Sequence, residues 1–368
     1  MKLGMLHLFE NPQGKSEHQI IQEQTDLMLA AEELGFDSVW PAEHHFSEYG
    51  WCASPQLSLA AIATRTSRIR LGTGIVVLPF HNPIRLAEDF AFLDLLSNGR
   101  VDFGVGRGYQ PLEYNGFNLD QTQSRDMFEE ALRLIVDCWT RETVNFKGKY
   151  WQVNDVEVRP KPYQRPHPPI HMACISPDTF EMAGRSGHHL LMGFAFGLTY
   201  SGARKGIEAY RAGRRAAGLD PDGGRRTCLM MVYPGRTMEQ ARADFRDPVT
   251  WYYQTIARYI APEQGYVKSY EYFAKSREFA RSLKFDDIVN TPAMVCGDVE
   301  HCVEKLTQVA REFGFDELLC WTRIGGLAPA KVRGAMELLS GEVLPRVRKL
   351  AGSASPVDGN SFAQQTAQ

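Results

Sequence analysis

IRLGTGIVVLPFHNPIRLAEDFAFLDLLSNGRVDFGVG, residues 69–106, holds a whole strand-helix-strand unit. The β-branched run IRLGTGIVVL reads as a buried strand that ends against Pro79, a residue with no N–H to give a ladder. A helix is expected from Pro83 to Leu96, since proline is harmless at the first helical position, where the N–H has no partner anyway. RVDFGVG, Arg100 to Gly106, is the next strand. Apolar runs joined by an amphipathic stretch indicate neighbouring parallel strands covered by crossover helices.

The same alternation extends outward in both directions. Upstream, strands at Lys2 to Phe9 and Ser38 to Pro41 flank a helix from Glu17 to Leu34. Its Ile20, Ile21, Leu27 and Leu34 fall at helical spacing, and Gly35 stops it. A further helix begins at Ser54-Pro55 and reaches about Thr66. Downstream come a helix from Ser124 to Trp139, with Asp126 and Glu129 near its start as the macrodipole prefers, the strand PIHMAC from Pro169, and a helix from Ser176. A strand at His189 to Gly193, a helix from Tyr200 to Gly218, and strands at Arg226 to Tyr233 and Asp316 to Thr322 complete the series. Eight strands so ordered predict an α/β fold, a (β/α)8 TIM barrel occupying residues 1–350 as one domain.

Two segments break the rhythm. Residues 141–169 alternate with period two and then run into prolines, predicting a hairpin excursion from the barrel. Residues 245–291 concentrate Trp251, Tyr252, Tyr253, Tyr259, Tyr266, Tyr270 and Tyr272, which suits either a packed helical addition or a lid segment over the site. The tail, residues 351–368, is small and polar and is expected to be disordered.

The 368 residues are 43% apolar with net charge −3, and acidic and basic residues interleave, which leaves no basic footprint for nucleic acid. No run approaches the ~20 apolar residues of a membrane helix, and MKLGMLHLFENPQG lacks a signal-peptide core. The seven scattered cysteines form no C-x-x-C pair and read as reduced thiols in a cytoplasmic protein.

In such a barrel the residues just after each strand build the site. After strand two stand Glu43, His44, His45 and Phe46. Adjacent histidines on extended chain face opposite ways, so no metal site is expected, and one imidazole suits proton transfer near neutral pH. After strand four, GVGRGY holds Arg107 between glycines, and Arg125 begins the next helix. After strand five, Ser176 and Thr179 sit at a helix N-terminus. Each feature alone is explained by turns or capping; together they suit a cofactor phosphate.

VWPAEHHFSEYG (39–50) followed by RIRLGTGIVVLPFHNPIRLAEDFAFLDLLSNGRVDFGVGRGY (68–109) resembles the bacterial luciferase-like flavin-dependent monooxygenases, most closely the luciferase alpha-subunit branch. The resemblance implies noncovalent FMN, received as FMNH2 from a separate NAD(P)H:flavin reductase, with O2 as co-substrate, a flavin C4a-(hydro)peroxide, transfer of one oxygen atom to an organic substrate, and a homodimer. It assigns His44 as catalytic, with Glu43 and His45 beside it, places phosphate on Arg107, Arg125, Ser176 and Thr179, and puts a non-prolyl cis peptide at Gly74-Ile75. Strand position adds Tyr109 and Gln110, and Phe9, around the ring site. Leu6, Leu8, Met172 and Met192 as a pocket floor, with Tyr252 and Tyr266 in the lid segment, point to an apolar or aromatic substrate. The chain departs from the pattern at Gly106, where luciferase alpha subunits carry a reactive thiol, and at Ile175, where they carry an acid. An F420-dependent oxidoreductase on the same barrel and a noncatalytic flavin-binding subunit of a heterodimer are the alternatives.

Overall fold

The computed structural model describes residues 1–260, 283–289 and 291–352. Its strands are β1 (Lys2–His7), β2 (Ser38–Pro41), β3 (Arg70–Gly72), β4 (Val76–Val77), β5 (Val101–Gly106), β6 (Val144–Lys147), β7 (Gln152–Val156), β8 (Ile170–Cys174), β9 (His189–Gly193), β10 (Arg226–Gly235), β11 (Met294–Asp298) and β12 (Glu317–Trp321). β1, β2, β3, β5, β8, β9, β10 and β12 pair in that order, all parallel, and β12 returns to β1 with Lys2 opposite Glu317 and Met5 opposite Cys320. This is the closed eight-stranded barrel that the alternation of runs predicts.

The crossover helices follow their sequence signals. α1 (Glu17–Glu33) is capped by Ser16, whose hydroxyl accepts from the Gln19 N–H, and Gly35 follows it at φ +85°. Next comes α2 (Pro55–Ala63), and then α3 (Pro83–Leu96), whose cap Asn82 accepts from the Ile84 and Arg85 N–H groups. α4 (Pro111–Gly116), α5 (Ser124–Thr140), α6 (Pro177–Arg185), α7 (Tyr200–Ala216) and α8 (Met238–Tyr259) complete the set used below. β6 and β7 form the antiparallel hairpin expected within 141–169.

Four expectations need correction. IRLGTGIVVL is not one strand: it bends at a cis Gly74-Ile75 peptide into β3 and β4, and a 3₁₀ turn covers Leu78–Phe80. At the bend the Thr73 hydroxyl takes over the ladder, donating to Gly104 O at 2.7 Å and accepting from Gly104 N at 2.9 Å. A Cβ on Gly104 would stand 1.8 Å from Thr73 O, so only glycine fits there. β1 stops at His7, two residues early, because Phe9 turns to φ +61°.

The aromatic segment does not start as a separate addition either, since residues 245–259 are the continuation of α8. Finally, β11 was absent from the predicted series. It exists because β10 is long enough for two partners on one edge, β9 along Arg226–Leu229 and β11 along Met231–Gly235. Tyr266, Tyr270, Tyr272 and the tail beyond residue 352 lie outside the described residues.

The barrel floor carries a buried polar layer. Burial pushes the Asp102 carboxyl up, but the His171 imidazole 3.4 Å away and the hydrogen bonds from Arg70 outweigh it and hold it well below the carboxylate range. Arg225 adds a contact to Asp102 at 2.9 Å. Glu317 accepts from the Ser38 hydroxyl, which itself accepts from Trp40 Nε1 at 2.7 Å, and burial raises its pKa to about 7.

Candidate active site

A cavity of about 370 Å³ lies at the C-terminal ends of the strands. Leu6, Leu8, Met172 and Met192 line it, as do Gly74, Ile75 and Gly106. Its polar groups are few: Glu43, His44, Arg107, Tyr109, Ser176, Thr179 and Tyr252 are the main ones. Such a space, mostly apolar with a handful of convergent polar groups, is where a small ligand is expected.

His44 is nearly buried, and its Nδ1 stands 2.9 Å from Glu113 Oε1. The same carboxylate oxygen accepts from the His45 N–H at 2.9 Å. Tyr49 meets the His44 ring edge to face at 4.7 Å, and a Cβ on Gly50 would touch the ring at 3.3 Å. The imidazole is boxed in on these sides while it lines the cavity.

The neighbouring histidine faces the other way. His45 Nε2 lies 3.0 Å from Glu43 Oε1, to which His81 Nε2 also comes at 2.8 Å, while Glu43 Oε2 accepts from Val77 N at 2.8 Å. Burial pushes the Glu43 carboxyl up, but the two imidazoles and the Val77 N–H outweigh this and keep it below the usual carboxylate range. Burial lowers the His81 pKa and Glu43 more than restores it, so that imidazole titrates above its ordinary value. With the Glu43 N–H donating to Ile75 O at 3.1 Å, Glu43 fastens the EHHF segment to the bend at residues 74–77. His45 itself packs among Phe46, Phe80 and Phe117.

The anion-binding candidates divide by position. Arg107, Ser176 and Thr179 line the cavity. Ser176 is the N-cap of α6, yet its hydroxyl makes no capping bond; it stands 3.4 Å from the Thr179 hydroxyl, which donates to Ser176 O at 2.8 Å. Thus a hydroxyl and the start of a helix remain available beside a guanidinium, which fits a phosphate monoester. Tyr114 donates its hydroxyl hydrogen to Arg107 O and so steadies that loop. Arg125 does not line the cavity; its side chain is 38% exposed and lies 3.8 Å from Asp178 in the first turn of α6.

Of the remaining expected residues, Tyr109 and Met192 line the cavity. Gln110 is buried behind it, its amide 3.3 Å from His44 Nδ1. Phe9 is buried in the core and Tyr252 faces the cavity from α8. Tyr109, Tyr49 and Tyr252 join their hydroxyls at 2.9 and 3.5 Å. Burial lifts Tyr49 and Tyr252 well above ordinary tyrosine. The end of α8 is tied down where Tyr259 and Arg258 reach Glu48 at 2.7 and 2.8 Å. Sequence reasoning missed Glu113, Tyr49 and His81. For Glu113 a signal existed: Pro111 followed by an acid marks a helix start.

Barrel, strand-end cavity and boxed histidine define an enzyme of the TIM-barrel class. The model of the luciferase-like monooxygenases matches residues 1–317, and the chain belongs to that family, among its flavin-dependent monooxygenases. It is 32% identical over half of each chain to the oxygenase component of a flavin-dependent trigonelline monooxygenase of Acinetobacter baylyi. It is 24% identical to the alkanal monooxygenase alpha chain of Photorhabdus laumondii, covering 95% of this chain and 98% of the relative. Among solved structures, monooxygenase RslO1 of Streptomyces bottropensis superimposes with a TM-score of 0.81 at 27% identity, over 94% of this chain and 99% of that one.

Proposed function

We propose that the chain is the oxygenase component of a two-component system, using FMN reduced by a separate NAD(P)H:flavin reductase to transfer one atom of dioxygen to an apolar or aromatic organic substrate. The observation that carries this reading is a cavity whose lining combines Arg107, Ser176 and Thr179 with many apolar side chains and one imidazole. Reduced FMN, when bound, supplies the electrons that activate dioxygen. Arg107, Ser176 and Thr179 bind its phosphate, and Arg125, outside the cavity and paired with Asp178, adds only long-range charge. Leu6, Leu8, Met172 and Met192 exclude water from the reacting atoms. His44 holds or releases a proton at Nε2. Glu43 does not act on substrate; it keeps the residue 74–77 segment in place.

The oxygenase-component name of the trigonelline relative supports a reductase partner. Seven buried free thiols suit the cytoplasm. A homodimer is supported by Leu57 on α2 and by Phe92, Leu95 and Leu96 on neighbouring α3, all exposed apolar side chains.

The test is anaerobic loading with photoreduced FMN followed by isotopically labelled dioxygen and a panel of neutral aromatic substrates. His44→Ala is expected to hold FMN within about twofold and to lose about 10²- to 10⁴-fold in oxygen transfer. Normal turnover by His44→Ala would overturn the role of His44. Tight binding of reduced F420 without oxygen uptake would overturn the oxygenase reading.

A further inference from the structure

The contact that the proposed chemistry leaves unexplained is the one behind His44. Glu113 is buried, on a short helix after β5, and its Oε1 faces both His44 Nδ1 and the His45 N–H at 2.9 Å. An ionised carboxylate is an acceptor only, so the hydrogen of the 2.9 Å contact between Oε1 and Nδ1 belongs to the imidazole; the Gln110 amide, which could only donate to Nδ1, stands farther off at 3.3 Å and is the weaker competitor. In a neutral imidazole a proton on Nδ1 leaves Nε2 bare. Among the described residues no protein group bonds Nε2, and the ring lines the cavity. The packing of Tyr49 and Gly50 around the ring opposes a flip that would exchange the two nitrogens.

We propose that Glu113 is a positioning residue that fixes His44 as its Nδ1–H tautomer and presents a bare Nε2 to the cavity as a proton acceptor. Free imidazole carries no such bias toward this tautomer, so the selection has to come from the protein. The backbone bond to His45 N–H makes the arrangement rigid: the carboxylate orients the ring and, through the next residue, the chain that carries it. This rests on the reading of His44 as the proton-handling group, but the tautomer can be measured with no flavin present.

The experiment is long-range proton-nitrogen NMR of the whole protein with ¹⁵N-labelled histidine, at a pH where His44 is neutral, the His44 signals being those lost in His44→Gln. The expected wild-type spectrum shows a protonated Nδ1 and a bare Nε2. In Glu113→Ala an Nε2–H population should appear. Glu113→Gln, which keeps an acceptor oxygen of the same reach, should retain the Nδ1–H form and so report on the contact even if the alanine variant folds poorly. Binding of oxidised FMN should stay within about twofold in both. Oxygen transfer should fall by about 10²- to 10⁴-fold in the alanine variant and less in the glutamine variant. A wild-type Nε2–H signal, or an unchanged Nδ1–H signal in a folded Glu113→Ala, overturns the proposal. If the tautomer is as expected but His44→Ala turns over normally, the function assigned to His44 fails instead.

Discussion

Replacing Arg107 by alanine should reduce the preference for FMN over riboflavin, two ligands that differ only by the phosphate. Arg107 is half-buried and lines the same cavity as the Ser176 and Thr179 hydroxyls. A charge-assisted hydrogen bond in such a place contributes about 1.5–3 kcal/mol, which is about 10- to 150-fold in dissociation constant. Arg125 has a side chain 38% exposed and Asp178 at 3.8 Å as a competitor. Its removal should cost less than about 1 kcal/mol, under about fivefold, and high salt should erase that loss while sparing most of the Arg107 effect. Flavin-fluorescence titration of wild type, Arg107→Ala and Arg125→Ala with both flavins, at low and high salt, measures all of this. The Tyr114 hydroxyl bond is to the main-chain oxygen of residue 107, so the loop keeps its anchor in the variant. If Arg107→Ala weakened riboflavin as much as FMN, or if Arg125→Ala cost as much as Arg107→Ala, the phosphate would not sit where the cavity places it.

Three further outcomes follow from packing and charge. A Cβ on Gly106 would stand 2.2 Å from Ile75 Cδ1, so Gly106→Ala should destabilise by about 1–3 kcal/mol and Ile75→Ala should recover part of it. Urea unfolding of the double-mutant cycle checks this, and additive losses would count against the contact. Glu317 titrates near 7 when folded against 4.5 as a free side chain. The native state therefore holds its proton more tightly, and the stability this gives is present below pH 4.5 and lost as pH rises toward 7. Glu317→Gln, still able to accept from Ser38, should gain up to about 3 kcal/mol on wild type between pH 4.5 and 8 in denaturant titrations, and a pH-independent difference would refute the assignment. If the proposed homodimer forms through α2 and α3, wild type should sediment as a dimer and Phe92→Glu as a monomer with unchanged secondary structure; a monomeric wild type or a dimeric variant would refute the contact.

The barrel was legible because each strand is an apolar run flanked by turn residues, a pattern local enough to read directly. What escaped was set by partners distant in sequence. The cis peptide at Gly74-Ile75 was placed by the family resemblance and not by the hydrophobic pattern, which it does not interrupt; the pairing of Thr73 with Gly104 that accompanies it was not foreseen. β11 is a short run whose identity depends on the unusual length of β10. In the site, opposite facing of His44 and His45 followed from extended chain, but the carboxylates they would find did not. Glu113 lies 69 residues from His44 and His81 lies 38 from Glu43. Sequence also grouped Arg107 with Arg125, two guanidinium groups of which only Arg107 lines the cavity, a property that no motif encodes.

The two ends of the segment between α8 and β11 are both fastened to the barrel: Glu48 holds Tyr259 and Arg258 on one side, and β10 holds Met294 to Asp298 on the other. Each anchor is made by residues outside 261–293, so a change of chain length between them unfastens neither. By loop-closure arithmetic, doubling the length of a connection between fixed points costs only about 0.6 kcal/mol. Such a change would leave the Arg107, Ser176 and Thr179 group and the His44–Glu113 pair untouched, since none of those residues lies between the anchors.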